Sequence, residues 1–180
     1  GFQSVDEFIP TALKLQIIER IVEAGVGHIQ VTSFVNPKAV PQMKDAREVA
    51  RHCIDKYPDI SFSALVPNYR GAKDAVESGL SEINYVISVS ETHNLKNVKR
   101  THDESFDELG KIIEDYPGLQ VNLDAATVFG CHYEGIIPPE QVISFLRRAR
   151  AIGVKSFNLC DTVGLAHPKL IRTVLGLVLQ

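Results

Sequence analysis

The chain has 180 residues, 44% of them apolar and 23% charged, which is the composition of an ordinary globular domain and excludes disorder and low complexity. A net charge of -3 offers no field for nucleic acid or an anionic membrane, and no apolar run approaches the roughly 18 residues of a membrane span. Three widely spaced cysteines, Cys53, Cys131 and Cys160, are too few for a disulfide scaffold and point to a reducing compartment.

In chain order, the periodicity predicts a helix over about Thr11–Ala24. Leu13, Ile17, Ile18, Ile21 and Val22 form its apolar stripe, with Lys14, Glu19, Arg20 and Glu23 opposite. Gly25 and Gly27 stop it. A strand follows at His28–Ser33, then a helix near Pro41–Tyr57 and a strand near Ile60–Val66. Next come a helix near Tyr69–Ser78, closed by Gly79, and a strand near Glu82–Ser88. Ser88 to Thr101 reads as a long loop. Beyond it lie a helix from about Asp103 to Tyr116, with Thr101 and Glu104 as a capping box, and a strand at Leu119–Ala125. A helix near Pro139–Ile152, a strand at Lys155–Cys160 and a helix from about Pro168 complete the chain.

Five strands alternating with six helices imply parallel strands joined by right-handed crossovers. Two α/β architectures fit: an open doubly wound sheet, or part of a (β/α)8 barrel, which as a whole needs about 250 residues. Length alone favours the first. The loops favour the barrel, because every segment after a strand is polar or turn-forming while those after helices are short and glycine-centred. A ring of strands aims all such loops at one site. We therefore expect residues 1–180 to be a single, partial TIM-barrel domain.

Several segments carry potential chemistry. Asp161 and Thr162 follow a strand containing Asn158, in Asn158-Leu159-Cys160-Asp161-Thr162-Val163-Gly164. A carboxylate at a buried strand end needs a cation or several donors, though Asp161 could simply cap the turn. The strand reading separates Asn158 from Cys160, so that at most one of them faces a barrel lumen. Gln30 and Thr32 are placed on one face of their strand, leading into the proline-stiffened Ser33-Phe34-Val35-Asn36-Pro37 loop. Lys96, Lys99 and Arg100 either meet an anion or form a solvated face. Cys131 and His132 are adjacent on a loop, a poor geometry for a nucleophilic dyad. With no Cys-x-x-Cys or His-x-His, no self-contained metal site is legible.

The segment from Ser33 to Met43 resembles the signature loop of the 3-hydroxy-3-methylglutaryl-CoA lyase family, within the metal-dependent lyase and Claisen-synthase (β/α)8 superfamily. Ser90-Glu91, Lys96-Asn97, Glu104-Ser105, Gly130-Cys131, Tyr133-Glu134-Gly135 and Asp161-Thr162-Val163-Gly164 occur in that family's order. The resemblance implies cleavage of a hydroxyacyl-CoA in a retro-Claisen sense to acetyl-CoA and a 3-oxoacid, assisted by Mg or Mn. A condensing relative of the isopropylmalate or homocitrate synthase type, or a non-catalytic open-sheet binding module, is the alternative.

Carried over residue by residue, the resemblance makes Asp161 and Gln30 catalytic candidates. It makes Ser33, Phe34, Asn158, Asn97 and Thr162 substrate contacts. Gln30 stands where the lyase has glutamate, Asp124 where it has tyrosine, and His132 where it has proline. Gly1-Phe2-Gln3 matches the end of the family's Arg-Asp-Gly-x-Gln motif, so strands two to six of eight are expected here. The metal ligands and the catalytic cysteine would then lie outside the chain, the isolated segment would be inactive, and Cys131 would not be that cysteine. The implied partners are an acyl-CoA and a second copy of the chain, in the cytoplasm or mitochondrial matrix, with neither nucleic acid nor membrane.

Overall fold

The computed structural model describes residues 1–179. Its elements are α1 (Thr11–Glu23), β1 (His28–Ser33), α2 (Ala46–Lys56), β2 (Ser61–Val66), α3 (Tyr69–Glu77), β3 (Glu82–Ser88), α4 (Glu91–Val98), α5 (His102–Asp115), β4 (Gln120–Ala126), α6 (Pro139–Ala151), β5 (Ser156–Leu159) and α7 (Pro168–Val178). All five predicted strands are present, and they form one sheet in the order β1-β2-β3-β4-β5. Each strand lies beside its predecessor, as consecutive barrel strands do. A doubly wound sheet would reverse direction at a switch point, and no reversal occurs. Among the described residues β1 pairs on one side only, with β2, and β5 only with β4, both in parallel. No helix among them is long and apolar enough to cross a membrane.

The residues fall into two compact units: Gly1–Asn84 with Tyr116–Gln120, and Tyr85–Asp115 with the chain from Val121 on. In the first, β1 carries an irregularity. Gln30 lies opposite Ser63, but Thr32 lies opposite Ala64 and Ser33 opposite Leu65, so Val31 is an extra residue. Partners in a parallel ladder share a face, and Ser63 and Leu65 are two apart. The register therefore adds Ser33 to the face of Gln30, and Thr32 stands beside them with its hydroxyl 4.0 Å from the Met43 sulfur. The ladder is thus irregular between Gln30 and Thr32, where the sequence implied an unbroken alternation.

α1 also departs from its predicted stripe. Leu13 and Ile17 are exposed, whereas Lys14 is buried beside Ile18. The Lys14 ammonium lies 2.7 Å from Asp45 Oδ1, donates to the Gln42 carbonyl and sits 4.5 Å from the centre of the Phe8 ring. Thr11 supplies Asp45 Oδ2 with a hydroxyl at 2.9 Å. A hydrophobic count assigns a lysine to solvent, but a lysine with a carboxylate and a carbonyl at hand can stay inside. The cluster ties the Pro41–Met43 turn and the first ten residues to α1; Gln42 donates in turn to the Val5 carbonyl at 2.7 Å.

α3 begins at a side-chain cap, with Asn68 accepting from the Gly71 amide at 2.8 Å. A Cβ at Gly71 would stand 2.7 Å from the backbone oxygen of Phe34. Glycine there lets the helix approach the end of β1.

In the second unit the predicted 88–101 loop contains α4. Ser90 caps it by accepting from the His93 amide, and Lys99, with φ of 59°, ends it. The buried Asn94 accepts from the Ser88 amide at 3.0 Å and donates to the Arg100 carbonyl and the Ser105 hydroxyl, each at 2.9 Å. A polar, weakly amphipathic segment of this length carries little helical periodicity, which is why the sequence read as loop. The capping box ahead of α5 forms as expected, Thr101 and Glu104 exchanging amide bonds of 2.8 and 3.2 Å. The core of this unit is built from Tyr85, Ile87, Leu109, Ile112, Leu123 and their neighbours. Tyr85 donates to Glu108 at 2.7 Å, and burial followed by that carboxylate pushes its phenol far up.

Lys14→Met leaves Asp45 buried without its cation and is expected to cost about 3–5 kcal/mol, read as the unfolding free energy in urea, with Lys14→Met/Asp45→Leu recovering most of it. Gly71→Ala is expected to cost about 1–3 kcal/mol in the same measurement, because the methyl group meets backbone that cannot rotate away.

Candidate functional site

In the first unit the carboxyl end of β1 borders a cavity of about 540 Å³, lined by the Gly1–Ser4 segment, the apolar face of α1, Gln30, Thr32, Ser33, Met43 and Leu65. Gln30 is exposed at its wall. Ser33 is 4% exposed and its hydroxyl has no hydrogen-bond partner among the described residues; the Ser63 hydroxyl is in the same state. A buried hydroxyl left without a partner is uncommon and is where a ligand's polar atom is expected. Phe34 is buried but does not line the cavity. Its amide donates to the Leu65 carbonyl at 2.9 Å, which makes it part of the sheet.

The second unit holds the other candidates. Asn158 lies opposite Asp124 in the ladder and donates to its carboxylate at 2.6 Å. Cys160 falls on the same side, as the two-residue period of a strand requires and contrary to the separation expected above. Its thiol is pushed up to about 11 by burial and by the Asp124 charge. Asp161 is exposed, with its two oxygens accepting from the Leu165 amide at 2.9 Å and the Ala166 amide at 3.1 Å. That is the turn-capping role. The Thr162 hydroxyl accepts from the Thr127 amide at 2.7 Å. Asn97 is exposed on α4, apart from these groups.

The basic residues of that segment take structural roles. Lys96 stacks on Tyr133 at 3.8 Å, Lys99 donates to the Lys96 carbonyl, and Arg100 faces Glu108 at 3.3 Å. Cys131 is buried and its thiol donates to Ser90 Oγ at 3.1 Å, while His132 is exposed, so the pair does not form a dyad.

Sequence reasoning missed the group around Ser88. Its hydroxyl is 2.7 Å from His93 Nδ1, and its carbonyl is 2.7 Å from His102 Nε2. Burial, and then His132, holds His93 below the usual imidazole range. Burial works to raise Glu134, but the hydrogen bonds it accepts from Thr92 and Ser90 outweigh this and hold it below the usual carboxylate range. The family motifs include Ser90 and Glu134, but nothing local joins them to Ser88, His93 and His102, since Ser88 and His102 are 14 positions apart and Thr92 and Glu134 are 42 apart. Among the described residues no group of three or more histidines, cysteines, aspartates or glutamates could hold a metal ion.

Comparison with known proteins places this geometry. The model of the HMGL-like family matches residues 1–180. The chain is 38% identical to a hydroxymethylglutaryl-CoA lyase of Bacillus subtilis, over 99% of this chain and 60% of that protein. It is 36% identical to the mitochondrial hydroxymethylglutaryl-CoA lyase of Bos taurus, over 100% of this chain and 56% of that protein. Among solved structures, an HMG-CoA lyase from Acinetobacter baumannii in complex with coenzyme A and 3-methylmalate superposes with a TM-score of 0.94 at 37% identity, over 99% of this chain and 59% of that one. The chain thus spans somewhat over half the length of the relatives it matches, and its fold is the part of a TIM barrel that the sequence predicted. On a match that runs from its first residue to its last, the chain belongs to the HMGL-like family.

Proposed function

We propose that this chain is part of a carbon–carbon lyase acting on a 3-hydroxy-3-methylglutaryl-CoA-like substrate, releasing acetyl-CoA and a 3-oxoacid. The observation that carries the reading is the unpartnered Ser33 hydroxyl at the wall of the β1 cavity, turned to the side of Gln30 by the extra residue Val31. A hydroxyl already desolvated has little water to lose when a substrate oxygen arrives. The likeness to lyases along the whole chain supports the reaction class, and the relative crystallised with coenzyme A supports an acyl-CoA.

In this reading Ser33 donates to an oxygen of the acyl group. Gln30 orients the same group through its amide, which can donate and accept hydrogen bonds but cannot take up a proton as a carboxylate does. Asn158, held by Asp124, offers its remaining polar edge, and Asp161 shapes the turn that carries Thr162. Phe34 contributes by fixing the backbone just after Ser33, and Asn97 would reach the substrate only toward its solvent-facing end. The described residues do not by themselves fit a divalent cation: both Asp161 oxygens are engaged by amides and Gln30 is neutral. Any Mg or Mn ion would take its ligands from beyond this chain, within the single barrel domain of which these residues form the central part. A homodimer located in the cytoplasm or mitochondrial matrix, and three cysteines that stay free, are consistent with this reading.

The full-length protein is expected to release acetyl-CoA from 3-hydroxy-3-methylglutaryl-CoA with Mg or Mn present, and to lose that activity at least a hundredfold when the metal is chelated, followed by a coupled acetyl-CoA assay. Consumption of acetyl-CoA and a 2-oxoacid without cleavage would instead assign a condensing enzyme. Ser33→Ala is expected to lower kcat/KM about tenfold, roughly 1–2 kcal/mol for one lost hydrogen bond, while leaving the thermal unfolding midpoint unchanged or slightly raised because no protein partner is abandoned. A lower midpoint with unaltered kcat/KM would remove Ser33 from the site.

A further inference from the structure

Thr127 stands at the carboxyl end of β4 with φ of 62°, one of two non-glycine residues among those described with a positive φ. The left-handed region is costly for a β-branched side chain, and such residues persist only where their surroundings hold them. Thr127 is 0% exposed and its surroundings do hold it. Its hydroxyl accepts from the Ser90 amide at 3.0 Å and donates to the Ala126 carbonyl at 2.6 Å. Its own amide donates to the Thr162 hydroxyl at 2.7 Å. One residue thus joins the segments that follow β3, β4 and β5.

A second contact lies alongside. A Cβ at Gly130 would stand 2.6 Å from Leu165 Cδ1, so the loop after β4 also closes directly on the turn after β5. Leu165 and Ala166 are the residues whose amides hold the Asp161 carboxylate.

We propose that Thr127 is a positioning residue, whose left-handed backbone, held by the Ser90 amide, fixes the Asp161–Gly164 turn through Thr162. The proposal rests on the lyase reading for its effect on turnover but not for the structural coupling. A relaxed Thr127 would withdraw its amide from Thr162, leave the buried Ser90 amide without an acceptor, and free the turn to sample other arrangements. Because the residue touches no substrate in this account, its loss falls on kcat through the geometry of the turn rather than on substrate affinity.

The test uses the full-length protein with Thr127→Val, Thr127→Ser and Thr162→Val, and reads both steady-state kinetics and amide hydrogen exchange. Thr127→Val is expected to lower kcat at least tenfold with KM within threefold, and Thr127→Ser, which keeps the hydroxyl, to recover most of the loss. The Leu165 and Ala166 amides should exchange at least tenfold faster in both valine variants. Unchanged exchange at those two amides, or a loss confined to KM, overturns the proposal. If Thr127→Val does not fold, Thr162→Val removes the other partner of the same bond and decides by the same readouts. If the wild-type protein cleaves no hydroxyacyl-CoA, the lyase reading falls, while exchange at Leu165 and Ala166 still decides the coupling.

Discussion

Polar groups taken out of water have to be met by other polar groups, and this chain meets that demand in two different ways. Several buried groups away from the cavity are fully met, although the Ser63 hydroxyl is not. Lys14 finds Asp45 and the Gln42 carbonyl, and Asn94 uses both ends of its amide against the backbone and Ser105. Thr127 accepts from one strand end and donates toward another. At the cavity the Ser33 hydroxyl is left open. In the proposed lyase the open Ser33 hydroxyl is the group left for a substrate oxygen, while the met groups hold the scaffold.

The two units solve the same problem with different devices. In the first, an extra residue in β1 rotates the end of the strand, bringing Ser33 round to the side of Gln30, and a glycine in α3 lets the helix press against Phe34 so that the new register is kept. In the second, no bulge is needed. A left-handed threonine and a capped helix, α4, gather the ends of β3, β4 and β5 through side-chain bonds to backbone amides. Both devices act at the carboxyl ends of parallel strands, where a barrel enzyme places its chemistry.

The candidate residues consequently divide by what already occupies them. Ser33 and Gln30 are available, and Asn158 is held by Asp124 with part of its amide to spare. Asp161 and Thr162 are engaged in shaping a turn, and Phe34 in the sheet. An aspartate used as a cap still sets where its neighbours stand, so in the proposed lyase the turn after β5 acts through placement. This also explains why the region around Asp161 does not make a metal site by itself.

Alternating apolar periodicity, glycine stops and the Thr101/Glu104 cap were sufficient to give five strands, most helices and their sequential layout. These are local signals that depend on neighbours a few residues away. The motif order pointed to the family, and with it to Ser33, Gln30, Asn158 and Asp161. Which way those side chains turn was not legible. The irregularity at Val31, the burial of Lys14 and the left-handed Thr127 each depend on groups 31 to 37 positions distant, such as Ser63 opposite Gln30, Asp45 for Lys14 and Ser90 for Thr127. Only the packed chain brings such groups together, because a pattern of hydrophobicity records whether a residue can be buried but not what will meet it there.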